Sequence, residues 1–186
     1  PAAGAAPNGP PAATGRGGEE LPLTAGDFDP DVPVLSEEAY LDMEEGRLLA
    51  IAGPDTGRFQ RLVAGANLLL ERLAREVEAS GARFVVVLIP DEGQVDRDLA
   101  RTIARRSGFS LDLDRPQRRL VPWLADRRIP HFDLLPLFRR RHEEGGPRLY
   151  RVQDTHWSAA GNRLAGETLA GFVIEEGLAP GGGGGG

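Results

Sequence analysis

Residues 83–89 form the stretch of this sequence that most restricts its fold. Six of these seven residues are apolar, four of those six are β-branched, and Pro90 follows directly. A continuous apolar run of this length is typical of a parallel strand that is buried on both faces. It is far too short to span a bilayer. We therefore expect a central strand with helices packed against both of its faces.

Helix and strand patterns alternate on either side of this run. Apolar residues recur every three or four positions between Thr56 and Ser80, which predicts a long helix that Gly81 ends. A second strand is predicted at 129–134. This alternation indicates a parallel sheet covered by helices, in the α/β class. The other predicted elements are a helix at 36–45 ended by Gly46, a short strand at 48–52, a helix through Val95, Leu99 and Ile103 that stops near Gly108, a helix capped by Asp114, and helices at 136–142 and 158–175.

The composition divides the chain into three parts. Residues 1–33 are rich in Pro, Ala and Gly, and they predict a disordered linker because they offer little apolar surface to bury. Residues 178–186 predict a flexible glycine tail. The segment between them, 34–177, is expected to form the globular domain. There is no basic-then-apolar export signal, and we expect the chain to be an internal part of a longer product.

Charge and cysteine content exclude several classes of function. The formal net charge is -6, and all 22 basic residues are Arg. A chain of this charge has no general attraction to nucleic acid or to anionic membrane surfaces, so we expect neither as a partner. There is no Cys, which excludes disulfides, thiolate metal sites and Cys nucleophiles.

The clearest chemical signal lies at the junction between a predicted extended stretch, 148–152, and the last predicted helix. Asp154 and His156 stand two residues apart there. Open α/β sheets build their sites at such junctions, outside the carboxyl ends of the strands. A carboxylate that keeps one imidazole nitrogen protonated leaves the other free to accept a proton from a nucleophile. We therefore predict that His156 is a general base and Asp154 its orienting partner.

Several neighbouring residues have competing interpretations. Trp157, Asp91 and Gln94 border the same expected sheet edge and are weaker candidates for substrate binding, although such residues more often pack or face water. Ser158 is better explained as a helix N-cap than as a nucleophile. A metal site from Asp133, His131, Asp154 and His156 lacks any familiar ligand spacing, and we predict no metal and no cofactor.

Four segments together resemble a known family of esterases. Residues 84–95, 113–120, 129–136 and the Asp154–Trp157 block resemble the SGNH (GDSL-like) hydrolase superfamily. The nearest branch is that of the SGNH-like domains related to the alginate O-acetylation proteins AlgX and AlgJ, which carry an Asp-Thr-His-Trp block of this kind. The resemblance covers about residues 40–175.

This resemblance implies a flavodoxin-like three-layer αβα sandwich around a parallel sheet. It also implies Ser-His-Asp chemistry on acyl esters, often acetyl groups of polysaccharide, with His156 as the base and Asp154 beside it. A location in the periplasm or cell envelope follows from the same resemblance.

The chain also departs from the family pattern. It lacks the Gly-Asp-Ser nucleophile block and the Gly and Asn blocks of the oxyanion hole, and residues 26–28 read Gly-Asp-Phe instead. We therefore expect a partial domain that supplies the Asp-His half of a site, is nearly inactive alone and leaves an apolar sheet edge or face uncovered. The alternative is a non-catalytic carbohydrate-binding or scaffold domain.

Overall fold

Two short parallel strands lie at the centre of the fold. The computed structural model describes residues 31–178. Strand β1, Val86–Leu88, pairs with β2, His131–Asp133, with Val86 opposite His131 and Leu88 opposite Asp133. Most of the predicted linker and the predicted glycine tail lie outside the described residues.

Helices precede, separate and follow the two strands, and both strands lie within the segments that the sequence predicts as strands, 83–89 and 129–134. This order gives a mixed α/β fold and confirms the predicted class. Before β1 come α1 (Glu37–Ala52) and α2 (Gly57–Ala79); between the strands lie α3 (Glu92–Val95), α4 (Arg97–Ser107) and α5 (Arg115–Asp126); after β2 come α6 (Leu135–Glu143) and α7 (Ala159–Glu175).

The helices cover the two strands on opposite faces. Side chains alternate between the faces of a strand, and this alternation separates two cores. Val87 and Phe132 pack with Leu135, Phe138 and Ala165, which belong to α6 and α7. The other core contains residues of β1, α2 and α5: Val86, Leu88, Ala74 and Leu124. The result is the predicted three-layer αβα arrangement.

Local sequence signals set most helix ends. Oxygen atoms of Ser36, Thr56 and Ser158 accept hydrogen bonds from backbone N–H groups in the first turns of α1, α2 and α7. Such caps satisfy donors that have no partner inside the helix. Gly108, with φ of 73°, ends α4 in the left-handed conformation that favours glycine.

The prediction for residues 36–52 was wrong in two respects. Gly46 does not end the first helix, and residues 48–52 continue it instead of forming a strand. Tyr40, Glu44, Leu48 and Ala52 are buried at four-residue spacing, so a continuous helix buries one side of itself. Gly46 lies on the exposed side of this helix, where no heavy atom would come within 4 Å of an added side-chain carbon. A glycine inside a helix lowers its stability modestly, and the packing of the other turns outweighs that cost.

The structure also corrects the cap predicted at Asp114. The carboxylate makes no cap hydrogen bond to α5. It accepts a hydrogen bond from Arg139 at 2.5 Å instead, and this ion pair joins the start of α5 to α6.

Strand β1 is more exposed than a central strand. Within residues 31–178 it pairs with β2 alone, Val85 and Val87 are half-buried, and Ile89 is 65% exposed. The prediction of burial on both faces was therefore too strong. The expectation that an incomplete domain leaves an apolar sheet edge or face uncovered stays a prediction. None of the helices between residues 31 and 178 is long and apolar enough to cross a membrane.

Candidate active site

A turn of ten residues, 149–158, carries the Asp-His pair. Its two arms are held antiparallel by a bridge between Tyr150 and Trp157. The Arg151 N–H donates to the His156 carbonyl at 3.1 Å, and the Ser158 N–H donates to the Leu149 carbonyl at 2.9 Å. The chain therefore folds back on itself and places residues 153–155 at the tip.

Asp154 and His156 contact each other directly. Nδ1 of His156 lies 2.6 Å from Oδ1 of Asp154, and the His156 backbone N–H donates to the same oxygen at 3.1 Å. Arg151 pairs with the other carboxylate oxygen at 3.1 Å. Both oxygens of Asp154 therefore have partners, although the residue is only 6% exposed.

The surroundings keep the Asp154 carboxylate charged. Burial by itself would raise its pKa, but hydrogen bonds from the ring and backbone of His156, together with the charges of His156 and Arg151, lower that pKa below its ordinary value. An ionised carboxylate at this distance holds the proton of His156 on Nδ1. The remaining nitrogen, Nε2, is then an acceptor.

The imidazole itself faces an open cleft. The His156 side chain is 79% exposed, and the cleft around it has a volume of about 280 Å³. No residue among 31–178 makes a hydrogen bond to Nε2. A buried carboxylate behind an exposed imidazole leaves the free nitrogen open to a reacting group. The cleft is lined by Ile89, Thr155, His156, Trp157 and Asn162.

Trp157 contributes both to the core and to this cleft. Its ring lies 5.0 Å from the Phe138 ring, and it packs against the core formed with α6 and α7. Asn162 also lines the cleft and donates to the Ser158 carbonyl at 3.0 Å. Both side chains are therefore fixed by contacts of their own at the rim of the site.

The structure agrees with the interpretation of Ser158 as a cap. Its hydroxyl donates to the Arg148 carbonyl at 2.6 Å and accepts from the Gly161 N–H at 3.1 Å. The residue is 6% exposed. Gly161 lets the first turn of α7 approach the other arm, because an added side-chain carbon would lie 2.2 Å from the Leu149 carbonyl oxygen. Ser158 thus fixes the turn, and its hydroxyl is already engaged.

Asp91 and Gln94 lie beside a different opening. They form a capping box at the start of α3, with the Asp91 N–H donating to Gln94 at 3.1 Å. Gln94 also donates to the Leu113 carbonyl at 2.8 Å, and Asp91 pairs with Arg47 at 2.7 Å. Both line a groove of about 490 Å³ along β1 and neither lines the His156 cleft. Their role in substrate binding stays a prediction.

The residues of the alternative metal site are engaged locally. Nδ1 of His131 lies 2.9 Å from the Ile129 carbonyl oxygen, and Asp133 accepts from the Leu135 N–H at 3.0 Å. Between residues 31 and 178, no group of three His, Asp or Glu side chains is arranged to hold a metal ion.

Sequence reasoning missed two features near the carboxyl end of β1. One is Arg151, whose guanidinium neutralises part of the Asp154 charge; its spacing of three residues from Asp154 was the available signal. The other is Glu44, which is fully buried and whose side-chain oxygens accept no hydrogen bond from the described part of the chain. Burial and the charge of Asp91 raise the pKa of Glu44 to about 8. No sequence signal indicated that Glu44 and Asp91 lie close together, because they are 47 positions apart in the sequence.

Comparison with known proteins agrees with this geometry. Residues 54–183 match the family described as the SGNH hydrolase-like domain of the acetyltransferase AlgX. The chain belongs to this family. The match includes both strands, α2 to α7 and the Asp154–His156 turn. Neither the curated proteins nor the solved structures contain a match to the chain. Membership confirms the resemblance noted in the sequence and supports a role of the hydrolase or acetyltransferase type.

Proposed function

We propose that this chain supplies the general base and its orienting carboxylate to a serine ester hydrolase or O-acyltransferase. One observation carries the proposal. A buried carboxylate with partners on both oxygens lies 2.6 Å from an imidazole whose side chain is 79% exposed. This is the arrangement in which Nδ1 is held protonated and Nε2 can accept a proton. The SGNH family supports the reaction class.

In the proposed reaction the nucleophile is a serine outside the described residues. Its oxygen attacks the acyl carbonyl while its proton moves to Nε2 of His156. Collapse of the tetrahedral intermediate breaks the ester bond, and His156 returns the proton to the leaving alcohol. Water, in hydrolysis, or an acceptor hydroxyl, in transfer, then attacks the acyl-enzyme carbonyl while His156 takes its proton. Collapse of this second intermediate breaks the bond between the acyl group and serine, and His156 returns the proton to the serine oxygen. Asp154 stays ionised throughout.

The proposed substrate is an acyl ester, with acetyl groups of a cell-envelope polysaccharide as the specific case. The family and the resemblance to alginate O-acetylation domains support this choice. The open cleft supports it as well, because a polymer can cross an exposed site without entering a closed pocket. Trp157 offers an aromatic wall for a sugar ring. We extend the proposal to a periplasmic or cell-envelope location on the family resemblance.

The proposal is tested with the complete gene product and p-nitrophenyl acetate. His156→Ala should lower kcat/KM by about 10⁴-fold, and Asp154→Asn should cost nearly as much because it favours the wrong tautomer. Ser158→Ala is the control. It should retain the rate and lower the free energy of unfolding by about 1 kcal/mol, because only a helix cap is lost. Circular dichroism checks that each variant folds.

Two results would contradict this assignment. Unchanged turnover in His156→Ala would remove His156 from the reaction, and loss of turnover in folded Ser158→Ala would make that serine the nucleophile.

The alternative function is a non-catalytic carbohydrate-binding or scaffold domain. The absence of a hydrogen bond from residues 31–178 to Nε2 of His156 is compatible with both functions. That function predicts no turnover by the complete wild-type protein and equal retention of wild-type and His156→Ala proteins on immobilised polysaccharide.

A further inference from the structure

Helix α2 carries large apolar side chains that the fold leaves exposed. Leu62 and Leu69 are each 64% exposed and Leu73 is 48% exposed, and Ala66 between them is also exposed. These four positions are separated by four, three and four residues. That spacing keeps them on one side of the helix and matches the seam of a two-stranded coiled coil. We name Leu62, Ala66, Leu69 and Leu73 the α2 stripe.

The stripe is separate from the side of α2 that packs against the domain. The inward side contains Val63, Leu70, Ala74 and Val77, which are buried or half-buried. At about 100° per residue, the stripe lies roughly a quarter turn away from this inward side. Stable monomers rarely expose a contiguous apolar patch of this kind, and such patches mark interaction sites.

The stripe is complementary to itself when a second copy is reversed. Its four positions are symmetric about a point between residues 67 and 68. An antiparallel second helix therefore places Leu62 against Leu73 and Ala66 against Leu69. The small side chain of Ala66 gives room to the larger Leu69 at the centre, so both copies can pack closely.

The charges beside the stripe favour the same orientation. Arg58 and Glu76 are 18 residues apart, which is five full helical turns, so they lie on the same flank of the stripe. Reversal of the second copy brings its Glu76 next to Arg58, and the same contact repeats across the twofold axis. Within residues 31–178 of the single chain, Glu76 forms an ion pair with Arg72 alone, at 2.7 Å, and both side chains are largely exposed.

We propose that two copies of this chain associate through the α2 stripe as an antiparallel homodimer. The apolar surface continues from Ala66 into a groove of about 220 Å³ between α2 and α5. This groove extends the contact beyond the stripe itself. The proposal does not depend on the chemistry proposed for His156.

Adjacent leucines on α2 provide a matched test. Leu68 is 67% exposed, nearly the same as Leu69, but it points to a different side of the helix. The complete wild-type gene product, as used for the activity test, should form dimers in a sedimentation equilibrium concentration series. Leu69→Glu should raise the dissociation constant at least about 100-fold, because a charge would be buried twice at the interface centre. Leu68→Glu should leave it within a few fold of wild type.

Charge reversal tests the orientation. Arg58→Glu should weaken the dimer at low salt, and adding Glu76→Arg in the same chain should restore it. Circular dichroism confirms that each variant is folded. A wild-type chain that stays monomeric at every concentration, or that forms polydisperse aggregates, overturns the dimer. Equal weakening by the Leu68 and Leu69 variants overturns the stripe as the interface, and failure of the double charge reversal to restore binding overturns the antiparallel arrangement.

Discussion

Two buried carboxylates near the carboxyl end of β1 have opposite electrostatic character. Asp154 has a hydrogen-bond or ion-pair partner on each oxygen, and its pKa is lowered. The side-chain oxygens of Glu44 accept no hydrogen bond from residues 31–178, Arg47 lies 3.7 Å away, and the pKa of Glu44 is raised to about 8. Asp154 is therefore ionised at neutral pH, whereas Glu44 keeps its proton.

The difference shows that burial at a sheet edge does not by itself make a carboxylate functional. Desolvation raises the pKa of both groups, and only the partners of Asp154 reverse that effect. One partner of Asp154 is the exposed imidazole of His156. Glu44 instead lies near the charges of Asp91 and Arg47. Asp154 can therefore orient a base, whereas the raised pKa of Glu44 makes stability depend on pH.

The largest expected change in stability comes from Gly161, where α7 approaches the other arm of the turn that carries Asp154. Gly161→Ala should lower the free energy of unfolding by about 3 kcal/mol, because the new carbon would lie 2.2 Å from the Leu149 carbonyl oxygen. Gly166→Ala is the matched control in the same helix. It has no atom within 4 Å of the added carbon and should stabilise by about 0.5–1 kcal/mol. Urea unfolding measures both, and equal effects would refute this account of the turn.

The next prediction distinguishes Glu44 from Asp154 by how stability depends on pH. The folded-state pKa of Glu44 is raised from 4.5 to about 8, so above pH 4.5 the unfolded chain loses a proton that the folded chain keeps. Stability should then fall as the pH rises from 5 to 8. Glu44→Gln should reduce that fall by about 3 kcal/mol, the order that linkage gives for this rise in pKa. Part of the fall should remain, because burial also raises the pKa of Glu92 to about 7.

Glu45→Gln is the control for this measurement. Glu45 lies on the same helix, is half-exposed and pairs with Arg106 at 3.0 Å. This variant should keep the wild-type decline between pH 5 and 8. If Glu44→Gln keeps the full decline as well, Glu44 is not protonated in the folded chain.

The smallest effect concerns Arg151. The pKa of Asp154 is lowered, so its contribution to stability is present above its ordinary value of 3.8 and is lost as the pH falls. Arg151→Gln should raise that pKa, move the acid-side loss of stability to higher pH and cost less than about 1 kcal/mol at neutral pH. Arg163→Gln, at an exposed position of α7, should leave acid unfolding unchanged. If Arg151→Gln loses stability at the same acidic pH as the wild type, Arg151 does not lower the pKa of Asp154.

Local signals made much of the fold predictable. The periodicity of 56–80, the cap at Ser158 and the end of a helix near Gly108 each depend on neighbouring residues, and each is found in the structure. Residues 48–52 were assigned to the wrong element because a short apolar run fits a helix or a strand equally well. The helix is favoured over the strand only because it buries every fourth residue from Tyr40 to Ala52.

The site was predictable where its residues are close in sequence. Asp154 and His156 lie within one turn, so their spacing and their position before a capped helix were enough to indicate contact. The state of Glu44 depends on Asp91, which only the tertiary fold brings near. The exposure of Leu62 and Leu69 could not be predicted either, because it also depends on the tertiary fold. The apolar side of α2 is wider than the surface against which the helix packs.

The most direct test of the central claim is the tautomer of His156 in the chain itself. Long-range ¹H–¹⁵N NMR spectra of the neutral imidazole should show the proton on Nδ1 and an unprotonated Nε2. The signals can be assigned among three histidines by their absence in His156→Ala. Asp154→Asn should shift the population toward the Nε2–H tautomer. A wild-type ring that carries its proton mainly on Nε2 would contradict the account, because such a ring has no free nitrogen in the cleft to accept a proton.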